Sequence, residues 1–410
     1  VYSILTSRYS GSPESLFDFD IKQISLGIFF VFLGLTALFH LPFRAWQTNA
    51  LVWGDPQYFS QFLWVILREG YKVPGPERSL SLFLEQMSSF NLYREFGVLT
   101  LFLIIFGFVM SIKKIKDFIF VSLIVLLVLN VGVVVYGNPI PENIFLLESF
   151  HTPGYLILSV FVGSAIYELS VIFEKARLKK IYTISSIILI FFISMFYYNY
   201  KKNDWSNYYI AYDYAKNVLK SCERNSVLLT WGDSGAFPLW YLQRVEKYRT
   251  DVALIHTPHI DAYWYWNEPD KINLVEKNKL YYMWGAGLNQ ENALRFLIKD
   301  ISSRRKIHVD YSTKYSILIP GMIFIPDGLV YSYVETPRTS KKELFNYMII
   351  RGFEDFYELK DLDTEKAKSI YAYCFFDVGV NLLLSGDKDG KLFIKKAIEI
   401  IPELRMSAIS

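Results

Sequence analysis

Residues 118–136 read FIFVSLIVLLVLNVGVVVY and contain no charged side chain. An apolar helix of about 20 residues is long enough to cross the hydrocarbon core of a bilayer, which is about 30 Å thick. Three lysines, Lys113, Lys114 and Lys116, stand just before this stretch. The stretch therefore predicts a membrane-spanning helix that starts on the cytoplasmic side, where basic residues concentrate.

Four more apolar stretches predict further spans, at residues 23–43, 97–112, 152–173 and 181–200. Glu168 is the one acidic residue within the five stretches. A second basic turn joins the fourth and fifth stretches and holds Lys175, Arg177, Lys179 and Lys180. If both basic turns are cytoplasmic, residues 44–96, 137–151 and everything after 200 lie on the outer side. We expect a multi-pass protein of the bacterial inner membrane whose C-terminal domain lies outside the cytoplasm.

The composition agrees with a membrane protein and argues against nucleic-acid binding. The chain of 410 residues is 52% hydrophobic with a mean hydropathy of +0.22, above the usual range for soluble proteins. Its 43 basic and 40 acidic residues leave a net charge of +3 with no basic face. Cys222 and Cys374 are the two cysteines, which excludes a disulfide framework, and we expect both to be buried free thiols.

The second half of the chain changes to a pattern typical of a folded aqueous domain. Helical and strand patterns alternate there: a helix at 208–222, a strand at 226–230, an amphipathic helix at 240–247 and a strand at 251–256. This is a βαβ-like unit. Loops at the carboxyl ends of its strands, residues 231–234 and 257–261, are the expected ligand positions.

The predicted fold is an α-helical transmembrane bundle followed by an extracytoplasmic α/β domain with a C-terminal TPR-like helix pair. The membrane domain covers residues 1–203, with about five transmembrane helices and a structured outer loop at 44–96 that carries helices at 58–67 and 80–96. The α/β domain covers 204–360. Residues 361–410 form the TPR-like end, whose helices at 367–385 and 391–401 flank a Gly-Asp-Lys-Asp-Gly turn.

Two motifs in the α/β domain suggest chemistry that their surroundings do not support. Gly232-Asp233-Ser234-Gly235 matches the string around a serine-protease nucleophile, but an α/β context and the glycine spacing argue against that use. A turn in which Asp233 caps the next helix is sufficient. His256, His259 and Asp261 are metal-ligand types, yet their spacing lacks a helical register, so we predict no metal site.

Aromatic residues cluster after the second strand, at Tyr263-Trp264-Tyr265-Trp266 and then at Tyr281, Tyr282 and Trp284. Flat apolar rings with polar tips suit a sugar ring or a membrane interface. The alternative is a domain core, because the chain is 18% aromatic and such clusters are common in it.

Two stretches together resemble the protein O-mannosyltransferase-like family of multi-span GT-C glycosyltransferases. The first is RAWQTNALVWGDP at residues 44–56, which departs from the family pattern at 49–52, where prolines are usual. The second is LLTWGDSGAFPLWYLQ at 228–243, continuing to Arg249-Thr250-Asp251-Val252. The resemblance covers the C-terminal part of the family's length, so the family's acidic catalytic loop is expected upstream of Val1.

The resemblance implies a membrane glycosyltransferase that moves a sugar from a polyprenyl-phosphate-linked donor to an extracytoplasmic protein or glycan, one form being protein O-glycosylation. A carboxylate base is then needed to deprotonate the acceptor hydroxyl. Asp55 is the candidate catalytic residue within this chain. The substrate-binding candidates are Arg44, Gln47, Trp53, Trp231, Asp233 and Trp264. Arg44 would pair with the donor phosphate, with Asp55 orienting it or an acceptor hydroxyl, and the alternative is that Asp55 only shapes the turn.

Two other functions remain open. A non-catalytic membrane-anchored module could use the βαβ unit and the TPR-like end to recruit an envelope partner. A transporter or polysaccharide polymerase is disfavoured, because the spans contain almost no charged residues to line a path. Membrane lipid is the expected surrounding in each case, and the sugar donor is a substrate and not a resident cofactor.

Overall fold

The computed structural model describes residues 21–47, 52–71, 75–112, 114–175, 180–267, 271, 273–316, 319, 321–351 and 362–407. Residues 48–51 of the first resembling stretch, Lys113 and the basic residues at 176–179 lie outside this part. The chain divides into two compact units. The span unit comprises Val1–Leu38 and Arg68–Asp204, and the sheet unit comprises Phe39–Leu67 and Trp205–Ser410.

Helices that precede the sheet follow the apolar stretches closely. They are α1 (Ile21–Leu35), α2 (His40–Gln47), α3 (Phe59–Ile66), α4 (Leu80–Met87), α5 (Leu92–Ser111), α6 (Lys116–Gly137), α7 (Thr152–Lys175) and α8 (Lys180–Asn203). Short 3-10 helices lie at Thr36–Phe39, Glu69–Tyr71 and Pro141–His151. The last of these replaces the outer loop expected at 137–151.

Four helices in the described residues are long and apolar enough to cross a membrane: Ser25–Gln47, Leu92–Ser111, Phe118–Gly137 and Pro141–Lys175. The fifth predicted span falls in α8, whose apolar part, Ile184–Tyr200, is shorter. The prediction of membrane helices is confirmed, with four full-length candidates where we expected about five. Glu168 is buried within the span unit and pairs with Lys114 at 2.5 Å, which compensates its charge.

The sheet unit holds five short strands and most of the remaining helices. The strands are β1 (Val227–Thr230), β2 (Ala253–His256), β3 (Ile307–Asp310), β4 (Ile323–Asp327) and β5 (Val330–Val334). The helices are α9 (Ile210–Ser221), α10 (Asp233–Arg244), α11 (Lys277–Gly285), α12 (Gln290–Ser302), α13 (Tyr311–Ser316), α14 (Leu362–Leu384), α15 (Gly390–Ile400) and α16 (Leu404–Ser407). Further 3-10 turns lie at Thr257–His259, Tyr263–Asn267 and Lys342–Tyr347.

The strands form one sheet in the order β2-β1-β3-β5-β4. β1 pairs in parallel with both β2 and β3, while β5 pairs antiparallel with β3 and β4. All residues of β1, β2 and β3 are buried, as expected for parallel strands covered on both faces. The predicted βαβ unit is therefore present, and β3, β4 and β5 extend it beyond what we predicted.

Two element boundaries in the sheet unit differ from the prediction. The helix expected at 240–247 begins at Asp233 and ends at Arg244, so its first turn follows directly on β1. The helix pair at the C-terminus is present as α14 and α15, which pack closely because Gly379 and Gly390 face each other. A Cβ on Gly390 would lie 2.4 Å from the Gly379 carbonyl oxygen. The TPR-like character of this pair and its boundary at 361 stay predictions.

Both cysteines are free and buried in the sheet unit, as predicted. Burial raises the pKa of the Cys222 thiol to about 12, so the thiol stays protonated and unreactive at neutral pH. Cys374 lies in the same core, on α14. The sheet, α9 and α14 thus share one continuous hydrophobic core.

Candidate functional site

The carboxyl ends of β1, β2 and β3 lie along one edge of the sheet. The chain leaves β1 toward β2 on one side, and β3 lies on the other side of β1. Adjacent parallel strands whose connections run in opposite directions leave a crevice between them, and α/β proteins bind ligands there. The described structure has a cavity at this crevice and a second one beside β2.

The first cavity, here the switch-point cavity, has a volume of about 340 Å³. Ser234 and Gly235 contribute from the first turn of α10, which follows β1, and Ser312 contributes from α13 after β3. Its charged lining groups are Asp233, Asp363 and Lys366. Apolar side chains form most of the remaining wall, so the cavity combines hydroxyl and charged groups at one end with an apolar surface.

Asp233 lines this cavity but does not cap a helix. Gly232 occupies the N-cap position of α10 with a φ of +79°, a conformation that favours glycine, and Asp233 is the first helical residue. The expected capping role is therefore wrong. The Asp233 side chain is exposed and makes no hydrogen bond in the described part of the chain, which leaves its carboxylate available to a ligand.

Asp310, which we did not predict, stands behind this cavity at the end of β3. Its carboxylate accepts hydrogen bonds from the backbone N–H groups of Thr313, at 2.6 Å, and Trp231, at 3.3 Å. Complete burial raises the pKa of Asp310 to about 6. A Cβ on Gly235 would lie 3.2 Å from its Oδ2 atom, so α10 starts close against this carboxylate. Asp310 thereby ties the end of β1 to the end of β3.

Tyr214 of α9 is a second lining residue that the sequence did not reveal. It is 4% exposed, and its hydroxyl has no hydrogen-bond partner among the residues that the structure describes. A hydroxyl that lines a cavity without a protein partner can form hydrogen bonds to water or to a ligand. The switch-point cavity therefore offers this hydroxyl to a polar guest.

The second cavity, here the indole cavity, has a volume of about 530 Å³ and lies beyond β1 and β2. Trp231 and Trp284 supply two indole rings to its wall, and Asp261 and Gln290 supply polar groups. The indole N–H groups of Trp266 and Trp284 both donate to the Ile260 carbonyl, at 2.8 and 3.3 Å. These bonds fix the orientation of the Trp284 ring at the wall.

The first resembling stretch packs against the loop after β2 in the sheet unit. The Trp53 ring lies 4.5 Å from the His259 ring and 5.6 Å from the Trp264 ring, measured between centroids. Asp55 follows in the same turn with a φ of +44°.

The other predicted site residues are spread over the sheet unit. Arg44 and Gln47 are exposed on α2, and no ion pair joins Arg44 to Asp55 within the described residues. Trp231, Asp233 and Trp264 thus occupy three different surroundings and not one pocket.

His256 and His259 lie under the edge, with ring centroids 4.7 Å apart. Burial, together with the neighbouring His259, lowers the pKa of His256 to about 3, although the Gly232 backbone acts in the opposite direction. Both histidines are therefore neutral at pH 7. In the described residues, no three His, Cys, Asp or Glu side chains are placed to hold a metal ion.

These features define the chain as a membrane protein whose second compact unit has an α/β sheet edge with two cavities. A family model described as TMEM260-associated domain 2 matches residues 211–275, which contain β1, α10, β2 and the loops after both strands. The protein O-mannosyl-transferase tmem260 of Dictyostelium discoideum is 24% identical over 279 residues, 60% of this chain. The two matches confirm the resemblance to an O-mannosyltransferase-like family.

The match spans about a third of the Dictyostelium relative, 34% of its length. No solved structure matches the chain.

Proposed function

We propose that the chain is the C-terminal part of a GT-C type membrane glycosyltransferase that moves a sugar from a polyprenyl-phosphate-linked donor to a protein hydroxyl outside the cytoplasm, in the bacterial inner membrane predicted above. The observation that supports this most is the position of the family match. Residues 211–275 include the loops that form the edges of both cavities, in a chain that also carries four candidate membrane spans.

In this proposal the switch-point cavity holds the acceptor. The free carboxylate of Asp233 accepts a hydrogen bond from a backbone N–H or a hydroxyl of the acceptor peptide. Lys366 and the Tyr214 hydroxyl donate hydrogen bonds to carbonyl groups of the same peptide. The apolar wall suits the side chains that flank the acceptor residue. An extended segment of two or three residues is consistent with a volume of about 340 Å³.

Arg44 on α2 and the turn at Asp55 serve the donor in this proposal. The exposed Arg44 guanidinium binds the donor phosphate, because its planar fork matches phosphate oxygens. Gln47 contacts the sugar, and the contact between the Trp53 and Trp264 rings holds the turn in place. Asp55 orients the acceptor hydroxyl or acts as its base. The Arg44→Lys variant then needs at least about tenfold more donor for half-maximal rate, since one bidentate contact is lost.

The decisive experiment measures transfer of labelled mannose from polyprenyl-phosphate mannose to a serine- and threonine-rich peptide by the full-length protein in membranes. Asp233→Asn removes a charged acceptor of hydrogen bonds, so we expect at least about a tenfold loss in kcat/KM for the peptide. The KM for the donor stays unchanged. Glu291→Gln is the matched control, since Glu291 is also in the first turn of a helix but lines neither cavity.

Equal transfer by wild type and Asp233→Asn would remove the acceptor role of this carboxylate. Absence of any transfer by the full-length wild type, with the lipid-linked donor bound, would favour the non-catalytic membrane-anchored module.

A further inference from the structure

The indole cavity is open to a ledge of exposed tyrosines. Trp284 forms part of the cavity wall and also faces Tyr263 and Tyr281, with ring centroids 5.8 Å away in both cases. Tyr263 is 52% exposed and Tyr281 is 55% exposed. Trp284, Tyr263 and Tyr281 therefore form an aromatic surface that runs from the cavity wall, which Trp231 also lines, to the outside of the sheet unit.

The polar groups of this cavity are few and have free capacity. Asp261 makes no hydrogen bond or ion pair in the described part of the chain, and neither does the indole N–H of Trp231. The Gln290 side-chain amide donates to the Thr257 carbonyl at 3.2 Å, which fixes the side chain and leaves its oxygen to accept. The site thus offers two free donors, the Trp231 indole N–H and the second N–H of the Gln290 amide, and at least two free acceptors beside flat apolar rings.

The charge of the site restricts the ligand. The lining of the indole cavity contains Asp261 and no lysine or arginine, so a phosphate or another anion would face an unfavourable field there, whereas Lys277 lies at the ledge beside Tyr263 and Tyr281. At the start of the adjacent helix α12, the Asn289 side chain accepts from the Asn292 N–H at 2.9 Å, so one of the N–H groups that could bind an anion is already occupied. A neutral ligand with hydroxyl groups and an apolar face fits these groups best.

We infer that the indole cavity and the tyrosine ledge bind a neutral saccharide of at least two rings, at a site separate from the switch-point cavity. The first pyranose ring stacks in the cavity on Trp284 or Trp231 and hydrogen-bonds to Asp261 and Gln290. The second ring stacks on Tyr263 or Tyr281 at the ledge. A volume of about 530 Å³ and the pinned Trp284 ring favour a preformed site.

The consequence for acceptor choice rests on the proposed function: the site would hold acceptors that already carry a short sugar chain. Such acceptors would gain affinity through two linked contacts, one in each cavity. Binding of the saccharide itself does not depend on transfer activity, so the two proposals can fail separately.

The test titrates the detergent-purified full-length chain with mannose, α-linked mannobiose and the disaccharides of glucose and N-acetylglucosamine, followed by saturation-transfer NMR. At least one disaccharide should bind at least about tenfold more tightly than its monosaccharide. Trp284→Ala should weaken both by at least about tenfold, whereas Trp284→Phe, which keeps a flat ring, should retain part of the binding. Tyr281→Ala should abolish the advantage of the disaccharide and leave the monosaccharide unaffected.

Tyr241→Ala is the matched control, because Tyr241 is 50% exposed in the same unit and lines neither cavity. Asp233→Asn should bind the saccharide normally while losing transfer, which separates the two sites. No binding of any of these sugars to the wild type, or equal binding by Trp284→Ala and wild type, would overturn the inference. So would loss of transfer to unglycosylated peptide in Tyr281→Ala, since the ledge would then belong to the acceptor site.

Discussion

At the scale of single residues, Arg249 holds the end of α9 to the turn before β2. Its guanidinium donates to the carbonyl groups of Leu219, at 2.6 Å, Cys222, at 3.1 Å, and Glu223, at 3.0 Å. It also pairs with Asp251 at 2.8 Å and lowers the pKa of that carboxyl to about 2. This part of the resembling stretch, Arg249-Thr250-Asp251-Val252, therefore stabilises the fold and lies outside both cavities.

Arg249→Lys should lower the free energy of unfolding of the sheet unit by about 2 kcal/mol, because an ammonium cannot reproduce the fork that satisfies these carbonyls. Cys222 and Cys374 are buried, so a thiol reagent labels them only when the sheet unit unfolds. The rate of labelling in increasing urea therefore measures the stability of the sheet unit. Lys395→Ala is the control, since its pairing with Glu399, at 3.8 Å, is exposed and contributes little. Similar labelling of Arg249→Lys and wild type would contradict the anchoring role.

Two buried groups at the sheet edge should give opposite pH dependences. The pKa of His256 lies near 3 in the folded chain against 6.5 unfolded, so the unfolded state binds the extra proton between these values and stability falls as the pH drops. The pKa of Asp310 lies near 6 against 3.8 unfolded, so the folded state binds the extra proton and stability falls as the pH rises.

Between pH 4 and 6, therefore, His256→Phe should gain stability relative to wild type as the pH falls, by up to about 1.4 kcal/mol per pH unit. Asp310→Asn should lose stability relative to wild type as the pH falls over the same range, with a similar slope per pH unit. His308, whose pKa burial lowers to about 4, is unchanged in both variants and cancels in the comparison. Urea unfolding of the three proteins at several pH values measures the slopes, and parallel curves would contradict the assigned ionisation states.

The residues at the edge show where sequence reasoning reaches its limit. The carboxyl ends of β1 and β2 follow from strand patterns, so Trp231, Asp233 and the loop after His256 could be placed there. Asp310 and Tyr214 could not, because their proximity depends on how β3 and α9 pack against β1. An Ile-His-Val-Asp alternation at 307–310 was the available signal for β3, but four residues are too few for a pattern to be decisive.

At the scale of elements, α5 and α7 of the span unit cross at Gly107. A Cβ on Gly107 would lie 1.8 Å from the Phe161 carbonyl oxygen and 2.9 Å from the Ala165 nitrogen, both backbone atoms. The backbones of the two helices therefore approach each other at this point, as small residues allow in membrane helices. Ser111 and Ser164 add a hydrogen bond of 2.6 Å between the same helices.

Gly107→Ala should separate α5 from α7 and destabilise the span unit by about 1–3 kcal/mol, the usual cost of overpacking. Gly132→Ala and Gly163→Ala are matched controls in α6 and α7, because a Cβ at either position meets nothing within 4 Å. We expect those two variants to be neutral or slightly stabilised, since alanine favours a helix over glycine. The apparent melting temperatures in detergent rank the stabilities of the three variants. Equal values would contradict the close crossing.

Strand and helix boundaries were predicted unevenly. The apolar runs give α5 to α8 to within a few residues, because burial in lipid selects long uninterrupted runs. The start of α10 was missed, since Gly235 and Pro238 both argue against a helix there. The β4–β5 hairpin was also missed, although Pro326-Asp327-Gly328 is a turn signal and Gly328 has a φ of +64° at the first turn position.

At the scale of the whole molecule, the candidate spans indicate where the protein resides, and the sheet unit indicates what it does. Four candidate spans make the chain a membrane protein, and the family match falls on the sheet edge. The resemblance could be recognised from the sequence because residues 228–243 form one connected strand, turn and helix. The two cavities could not, because their walls come from segments as distant as Tyr214, Ser312 and Lys366.

The proposed function requires the sheet unit to face the side opposite the basic turns, and thiol labelling of variants with one added cysteine tests this most directly. The native thiols are buried, so the wild type serves as the unlabelled blank. Asn207→Cys reports the start of the sheet unit and Lys116→Cys the basic turn. Lys116 is preferable to Lys114, whose removal would leave the buried Glu168 without its partner.

In sealed membrane vesicles that expose the outer face, an impermeant maleimide should label Asn207→Cys and leave Lys116→Cys unlabelled until detergent is added. Labelling of Lys116→Cys with protection of Asn207→Cys would place the sheet edge in the cytoplasm, away from any outer acceptor, and would contradict the account.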